Sequence, residues 1–463
     1  MRKAFLSLLL LLSISCLSQN KQILYNFTAV PQSLLTYPVA EFKYKYYFGV
    51  PLLSGISVNV GFTGFSAYEL FAKDGVDFNA KLRAVVMSTS RKDKVTLNEQ
   101  IELFNGGFKV GGWQKPAYVS FGMYQEFDFL MYIPKDLAIL ALEGNRDYLG
   151  KKFNLADLNL KTEMLSVLHF GYHRNIAENL NVGARVKIYS SIFNATSTNN
   201  KGYVLTEDGT TTSYEQVMDS NMQLNTSGVS HYRDKNIDVD PASDLIKKTF
   251  AGGNLGLGFD LGFTYYPKKN IQITASVLDV GYIKHSKQVE SWTYKGLYKY
   301  EGVNPIFNDS NEPGNVYQEF NDAIPLDSIY TNYTTWRPQK LNASYQYSFN
   351  DSRGGDCSCA SPDADYKNAV GAQLFAMTAP RGPIVALTGY YRRSVLRNLE
   401  MKATYTLDSY SYTNIGLGLS TNVGKFNLYA LADNLLEYRD LSKTNSLSFQ
   451  FGFNFIFKDN NEP

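Results

Sequence analysis

The residues LSFQFGFNFIF, from Leu447 to Phe457, decide the fold of this 463-residue chain. Every second position carries an aromatic or aliphatic side chain, whereas the positions between them are polar or glycine, except for Ile456. Successive side chains of a β-strand point to opposite faces, whereas a helix would distribute the phenylalanines around its circumference. The stretch therefore predicts a strand with one strongly apolar face. We expect that face to contact lipid through Leu447, Phe449, Phe451, Phe453, Phe455 and Phe457.

Four further stretches repeat this alternation on both sides of a short polar turn. One of them, NLGLGFDLGFTYYPKKNIQITASVLDV at 254–280, places two apolar rows around the turn PKKN. The arms run to about ten residues, against about five or six in typical soluble strands, and the connections alternate between short and long. These two features favour a transmembrane β-barrel over a soluble β-sandwich, which alternation by itself would also allow.

Counting strands backward from the C-terminus predicts an all-β fold, a transmembrane antiparallel β-barrel of about 14 strands. The first two predicted strands, at 79–89 and 101–111, have the weakest patterns. If the C-terminus is periplasmic, the short turns fall on the periplasmic side and the long segments 195–251 and 283–335 are extracellular. The 34 tyrosines and 29 phenylalanines suit the aromatic girdles of a membrane barrel.

Two segments precede the predicted barrel at 79–463. Residues 1–18, MRKAFLSLLLLLSISCLS, have a basic start, a short apolar run and small residues beyond it, which predicts a secretory signal peptide. Residues 19–78 are too long for a tail and too apolar for a linker, so we expect them to fold into the barrel mouth and plug the lumen. Within the barrel, PKDLAILALEGN at 134–145 predicts a short helix that ends at a glycine.

Charge and cysteine content exclude some classes of function. Without Arg2 and Lys3 of the signal peptide, the basic residues equal the 43 acidic ones in number. This balance gives no electrostatic basis for nucleic-acid binding. Cys357 and Cys359 are the cysteines that remain, too few for a disulfide scaffold, and they could form one disulfide or stay as thiols.

Several motifs resemble a known family. FGVPLLSGISVNVGFTGFSAYELF, PKDLAILALEGN, DLGFTYYP followed by ASVLDVGYI, and WRPQKLNASYQYSF are similar to a domain of unknown function found in outer-membrane β-barrels of Bacteroidota. That family is itself similar to FadL-like barrels and to barrels associated with type IX secretion. The resemblance covers nearly the whole mature chain and implies its fold, its compartment and its bacterial group. It carries over no functional residue.

Polar side chains on the parity opposite to the apolar rows should face the lumen. A catalytic site would need a nucleophile beside an ordered base. The alternation of side chains along the strands does not by itself bring such a pair together. We favour a network of paired charges, because isolated buried charges are costly. The chain is therefore predicted not to be an enzyme and to carry no catalytic residue or cofactor. The predicted lumen-facing polar residues are His169, His173, Arg185, Lys187, Asp260, Glu400 and Lys402.

An acidic run, RDKNIDVDPASD, lies within the first long segment. Clustered carboxylates in a loop can supply the hard oxygen ligands that Ca²⁺ prefers. The run lacks the central glycine and the final glutamate of an EF-hand loop, so we favour a solvated acidic loop without metal. The candidate ligands are Asp234, Asp238, Asp240 and Asp244.

Two functions from different classes remain open at this stage. In the first, the protein is an accessory or scaffold subunit of an envelope assembly or secretion complex, and it binds other envelope proteins through its extracellular loops. In the second, it is a FadL-like transporter that passes small hydrophobic molecules across the outer membrane. Both place the chain among the lipids of the outer membrane, with no nucleic acid as a partner. The sequence favours the scaffold.

Overall fold

The computed structural model describes residues 21–42, 44–111, 117–209, 213–232, 240–301, 316–351, 366–408 and 410–458. The predicted signal peptide and both cysteines lie outside the described residues. The described chain is mostly β-strand, and its strands close into an antiparallel β-barrel of 14 strands. The predicted fold class is therefore confirmed.

Extended segments with alternating burial make up the strands. In chain order they are β1 (Tyr44–Gly49), β2 (Ile56–Phe62), β3 (Lys94–Val110), β4 (Ala117–Tyr132), β5 (Lys152–Asn154), β6 (Asn159–Ala177), β7 (Leu180–Ser197), β8 (Lys201–Asp208), β9 (Tyr214–Ser227), β10 (Asn254–Lys268), β11 (Ile271–His285), β12 (Val289–Tyr300), β13 (Leu326–Ile329), β14 (Tyr333–Trp336), β15 (Lys340–Asp351), β16 (Tyr366–Met377), β17 (Ile384–Leu396), β18 (Leu399–Leu407), β19 (Asn414–Val423), β20 (Phe426–Asp433) and β21 (Ser446–Lys458).

The ring closes between the C-terminal strand and the first one. β1 and β2 share a single position in the wall, and both pair with β21 on one side and with β3 on the other. The wall then continues through β4, β6, β7, β10, β11 and β15 to β21, each antiparallel to its neighbour. Short turns lie at the end that holds the C-terminus; by analogy with bacterial membrane barrels we call this the periplasmic end and the opposite one the extracellular end.

The C-terminal strand shows how the wall divides its side chains. Phe449, Phe453 and Phe455 are 43%, 38% and 37% exposed and point outward, while Asn454 between them is fully buried. Ile456, the residue out of step in the sequence, faces inward and belongs to an aromatic-rich cluster inside the barrel. It packs there because residues 21–42 fill this part of the lumen and give the isoleucine an apolar environment.

The beginning of the barrel differs from the prediction. Residues 79–89 are not a strand, because α2 (Phe78–Ser88) occupies them. The Asp77 side chain accepts hydrogen bonds from the backbone N–H groups of Asn79 and Ala80, which caps the helix. The missing wall strand is formed by β1 and β2, within the segment 19–78 that the sequence assigned to the plug. The alternation of apolar residues in this wall strand is broken at 50–55, where the chain bulges out of the ladder. The sequence pattern therefore does not predict β1 and β2 as one strand.

Short helices occupy the extracellular end. They are α1 (Ala67–Phe71), α2, α3 (Lys135–Glu143), α4 (Pro241–Lys247) and α5 (Val316–Ala323). The helix predicted within 134–145 is confirmed as α3, and it ends at Gly144, whose φ of 73° suits glycine. Each helix of the described residues is too short or too polar to cross a membrane.

The two long segments fold into strands beyond the wall. β9 pairs with β8, with β12 and with the outer end of β7. β12 pairs in turn with β13. The segments 195–251 and 283–335 thus build a small sheet at the extracellular end, continuous with the barrel.

Candidate functional site

The N-terminal segment, residues 21–42, lies inside the barrel and spans its bore. Asn26 Nδ2 donates a hydrogen bond to Gln272 Oε1 on β11 at 2.9 Å. Gln32 Nε2 donates to Asn454 Oδ1 on β21 at 2.8 Å. Since β11 and β21 stand on opposite sides of the ring, the N-terminal segment is held from both sides of the lumen.

A buried arginine organises the polar groups above this segment. Arg337 follows β14 and is 3% exposed. Its guanidinium lies 2.7 Å from Glu163, 3.0 Å from Glu126 and 3.4 Å from Asp128. A planar guanidinium with five N–H donors is suited to bridging several carboxylates in this way. The contacts link β4 and β6 to the segment between β14 and β15.

A second group of ion pairs continues across the lumen. Lys187 Nζ lies 2.9 Å from Asp260 and 2.6 Å from Asp279. Arg185 lies 3.3 Å from Asp260, and Lys340 lies 3.0 Å from Asp279. Each charged side chain has at least one oppositely charged partner within 3.3 Å, which offsets part of the cost of burying charge. We call these residues together with Arg337, Glu126, Asp128 and Glu163 the charge layer.

A β-bulge brings Asp279 into the charge layer. Val277 and Val280 are 37% and 39% exposed and face lipid, whereas both Leu278 and Asp279 between them are buried. Asp279 has a φ of 60°, and its N–H donates to Asp260 Oδ1 at 2.8 Å. An extra residue in one strand turns a side chain to the other face. Strict alternation assigns Asp279 to the lipid side, so sequence parity missed it.

The predicted lumen residues on β6, β7 and β10 are all buried. Arg185, Lys187 and Asp260 belong to the charge layer. His169 and His173 are both buried, and their rings lie beside tyrosines on β4. His169 lies directly opposite Lys187 in the ladder between β6 and β7, and His173 lies nearer to the periplasmic end. Arg185 and Lys187, rather than the histidines, form the ion pairs with Asp260, so the seven predicted residues do not make one site.

Lys402 and Glu400 lie on β18, away from the charge layer. Lys402 is fully buried and donates a hydrogen bond to the backbone carbonyl of Tyr25 in the N-terminal segment. Glu400 lies 3.8 Å from Arg392 on the neighbouring strand. Lys402 thus serves to hold the N-terminal segment.

A cavity of about 510 Å³ opens above the charge layer, at the extracellular end of the lumen. We call it the outer cavity. Asp128, Arg337 and Lys340 form its floor. Its apolar lining comes from opposite sides of the ring and includes Leu130, Pro338, Met377, Pro380, Ile384 and Tyr410. The outer cavity is therefore a compartment across the bore in which these apolar groups lie among threonine and asparagine side chains such as Thr96, Asn98 and Thr378.

The turn between β16 and β17 crosses the mouth of the outer cavity. Arg381 in this turn donates a hydrogen bond to the backbone carbonyl of Ala156 at 3.0 Å and lies 3.3 Å from the Asp157 carboxylate. Arg91 approaches the same carboxylate to 3.2 Å. Burial raises the pKa of Asp157 above its ordinary value, and the two arginines oppose that rise. We call this set of interactions the cross-mouth contact.

The structure also joins a serine and a histidine that are far apart in sequence. Ser227 Oγ lies 2.8 Å from His285 Nδ1, and Thr335 Oγ1 lies 2.8 Å from Nε2 of the same histidine. Both Ser227 and His285 are 0% exposed. A nucleophile needs access to its substrate, and the third partner is a hydroxyl rather than a carboxylate. The pair is therefore a structural link between β9, β11 and β14.

The candidate calcium ligands do not form a shared site in the described part of the chain. Asp240 caps α4 by accepting hydrogen bonds from two backbone N–H groups. Asp244 lies 2.6 Å from Lys248 and 3.2 Å from His231. Asp234 and Asp238 fall outside the described residues. Where the chain is described, no group of three or more His, Cys, Asp or Glu side chains could hold a metal ion.

Comparison with known proteins places the chain in a family. The model of a family of unknown function, DUF5723, matches residues 38–433, which span the wall from the end of the N-terminal segment to β20. The chain belongs to this family. None of the curated proteins matches the DUF5723 chain in sequence.

Solved structures of membrane barrels are similar to this DUF5723 protein over most of its length. The toluene transporter TbuX of Ralstonia pickettii is 10% identical, with a TM-score of 0.41 over 92% of this chain and 94% of TbuX. A FadL homologue of Pseudomonas aeruginosa is 11% identical, with a TM-score of 0.43 over 94% and 95% of the two chains. The toluene transporter TodX of Pseudomonas putida is 9% identical, with a TM-score of 0.36 over 92% and 91%.

Proposed function

We propose that this protein resides in the outer membrane and takes up a small, mainly apolar molecule from the cell exterior through the outer cavity. The observation that carries the proposal is the outer cavity itself, about 510 Å³ of space inside the extracellular end of the barrel. This volume lies in the range of small-molecule sites, which combine apolar walls with a few polar groups. The predicted signal peptide and the outward apolar rows of the wall support the location.

The side chains that line the outer cavity favour an apolar solute. Leu130, Met377 and Ile384 line the outer cavity from opposite sides of the bore among neutral Thr and Asn side chains, whereas Arg337 and Lys340 at its base are engaged with carboxylates. Since the charges of the floor already have partners, a polar solute gains little from them and would have to be desolvated. An apolar solute gains from burial of its own surface.

The lumen is closed below the outer cavity. The charge layer and the N-terminal segment lie in succession between the outer cavity and the periplasmic end. Hydrogen bonds to strands on both sides of the ring hold the N-terminal segment, so a solute passes only when this segment moves. This makes the protein a gated barrel rather than an open pore.

Removal of the N-terminal segment should open the barrel. We expect the intact protein to show little steady conductance in planar lipid bilayers, and the variant without residues 21–42 to conduct continuously. The variant must still migrate faster on a gel before boiling than after, which reports a folded barrel. A large steady conductance of the intact protein would contradict the closed lumen.

A polar substitution in the outer cavity should weaken solute binding. Leu130→Asn should reduce the affinity for cyclohexanol, a small apolar probe, by about tenfold, because part of an apolar contact is lost. Leu142→Asn is the matched control, since Leu142 is 42% exposed on α3 and lies outside the outer cavity. Both variants and the parent protein are compared by calorimetric titration in amphipol, with glucose as the polar probe. Binding of glucose as tight as that of cyclohexanol would refute the apolar site.

One observation favours the scaffold as a second candidate function. The extracellular sheet and α5 carry several large exposed side chains, among them Tyr317, Leu326 and Tyr330 at 72%, 69% and 69% exposure. Exposed aromatic and aliphatic groups of this kind are typical of protein-binding surfaces. A stable partner recovered from native membranes, lost when α5 is deleted while cyclohexanol binding persists, would support this function.

A further inference from the structure

Residues 240–253, here called the outer-wall segment, lie on the lipid side of the barrel rather than over its mouth. Thr249 Oγ1 accepts a hydrogen bond from Gln125 Nε2 at 2.9 Å, and the carbonyl of Lys248 accepts one from Ser190 Oγ at 2.6 Å. Gln125 alternates with inward-facing residues on β4, so its own side chain points outward. The outer-wall segment thus covers polar positions on the outer surface of β4, β6 and β7.

The position of the outer-wall segment along the membrane normal follows from β10, the strand that comes directly after it. β10 begins directly after this segment, and its outward row comprises Leu255, Leu257, Phe259, Leu261 and Phe263, all large and exposed. This row forms part of the lipid-facing band, and the outer-wall segment lies at its extracellular edge. A bilayer places the headgroups of the outer leaflet at this level.

Apolar side chains of the outer-wall segment point away from the barrel. Leu245, Ile246 and Phe250 are 40%, 61% and 64% exposed. They continue the outward apolar row of β10 beyond Leu255, toward the extracellular end. A short amphipathic segment of this kind lies in the membrane interface with its apolar side toward the acyl chains.

A cavity of about 590 Å³ opens beside these apolar groups. Its lining includes three lysines, Lys247, Lys248 and Lys287, and one carboxylate, Asp244. Lys248 Nζ lies 2.6 Å from Asp244, which neutralises that pair. Lys287 Nζ donates to the backbone carbonyl of Gly252 at 2.8 Å. Lys247 and Lys287 therefore leave the cavity with a net positive charge.

We infer that this cavity binds the phosphorylated headgroup of an anionic lipid of the outer leaflet, whose acyl chain lies along Phe250 and Ile246. Lysines at the membrane surface attract anionic headgroups, and the phosphate accepts hydrogen bonds from their ammonium groups. The apolar side chains beside the cavity face the bilayer. A lipid contacts them with its acyl chain, whereas a soluble phosphate would contact only the lysines. The inference is independent of solute uptake, because the cavity lies outside the lumen.

Titration with two forms of one lipid tests the inference. Diphosphorylated lipid A and the same lipid without its phosphates are titrated against detergent-purified full-length protein, and bound lipid is counted by native mass spectrometry. We expect Lys247→Gln combined with Lys287→Gln to weaken binding of the phosphorylated form about 25-fold, since each lysine at an anionic surface contributes about fivefold. Binding of the dephosphorylated form should not change.

Matched variants separate a specific site from general charge. Lys268→Gln with Lys269→Gln removes the same charge at the periplasmic end of β10 and should leave lipid binding unchanged. Phe250→Asn should weaken both lipids equally, because it removes only the acyl-chain contact. Faster migration before boiling confirms that each variant is folded. Equal binding of the two lipids to the parent protein, an equal loss in the periplasmic variant, or competition by inorganic phosphate at the lipid concentration would overturn the inference.

Discussion

Replacing Arg337 by alanine should lower the free energy of unfolding by about 3–5 kcal/mol, because it leaves several buried carboxylates without their shared cation. The guanidinium lies 2.7 Å from Glu163 and 3.0 Å from Glu126, and both carboxylates are nearly inaccessible to water. Lys340 stands 3.7 Å from Glu126 and can compensate one of them in part. Glu163 would keep neutral hydrogen-bond donors such as Asn194.

Two further variants distinguish charge from packing in this position. Arg337→Lys keeps the charge but loses the planar fork, so we expect an intermediate loss of stability. Arg337→Met combined with Glu163→Leu removes the cation and one of its three carboxylates and should recover part of the loss, since apolar pairs often replace buried ion pairs and Glu126 keeps Lys340 at 3.7 Å. Urea unfolding in lipid vesicles provides the free energies. A loss below about 1 kcal/mol for Arg337→Ala, the range of exposed ion pairs, would show that water reaches the carboxylates.

Arginine in place of Phe453 should cost about 2–4 kcal/mol of unfolding free energy, because a charge would enter the middle of the lipid-facing band. Phe453 is 38% exposed and lies near the centre of the outward row of β21. Phe457→Arg lies near the periplasmic end of the same row, where a charged side chain reaches the headgroups and costs about 0–1 kcal/mol.

Phe453→Leu is the control for packing, since it keeps an apolar side chain at the same depth. Its effect should be much smaller than that of the arginine. The same unfolding experiment in vesicles gives the three values. If Phe453→Arg and Phe457→Arg cost the same, the outward row does not cross the membrane as the strand geometry requires.

Arg337 and Phe453 lie on opposite faces of the barrel wall, so their replacements should affect different properties of the protein. Arg337 lies in the floor of the outer cavity, so its replacement changes both stability and the base of the proposed solute site. Phe453 contacts only the outside of the wall and should affect stability alone. Cyclohexanol binding measured on the folded fraction of each variant separates the two effects.

The sequence by itself determined the class of the fold and most of its wall. Alternation has a period of two residues and is visible within a single strand, so stretches such as Leu447–Phe457 and 254–280 reveal their apolar faces without any knowledge of their neighbours. The length of the arms and the alternation of short and long connections then indicated a membrane barrel and its direction. Polar parity also indicated residues such as Lys187 and Asp260 as inward-facing.

Only the tertiary structure decided where the wall begins and which charges meet. β1 and β2 become one wall strand because β21 and β3 pair with them on both sides, and those partners lie far away in the sequence. Asp279 enters the lumen because one extra residue in β11 reverses the side to which it points. Arg337 and Glu163, 174 residues apart, meet only because the wall curves around a common lumen. The period of a strand fixes its faces locally, whereas bulges, pairing and closure depend on contacts that no local pattern records.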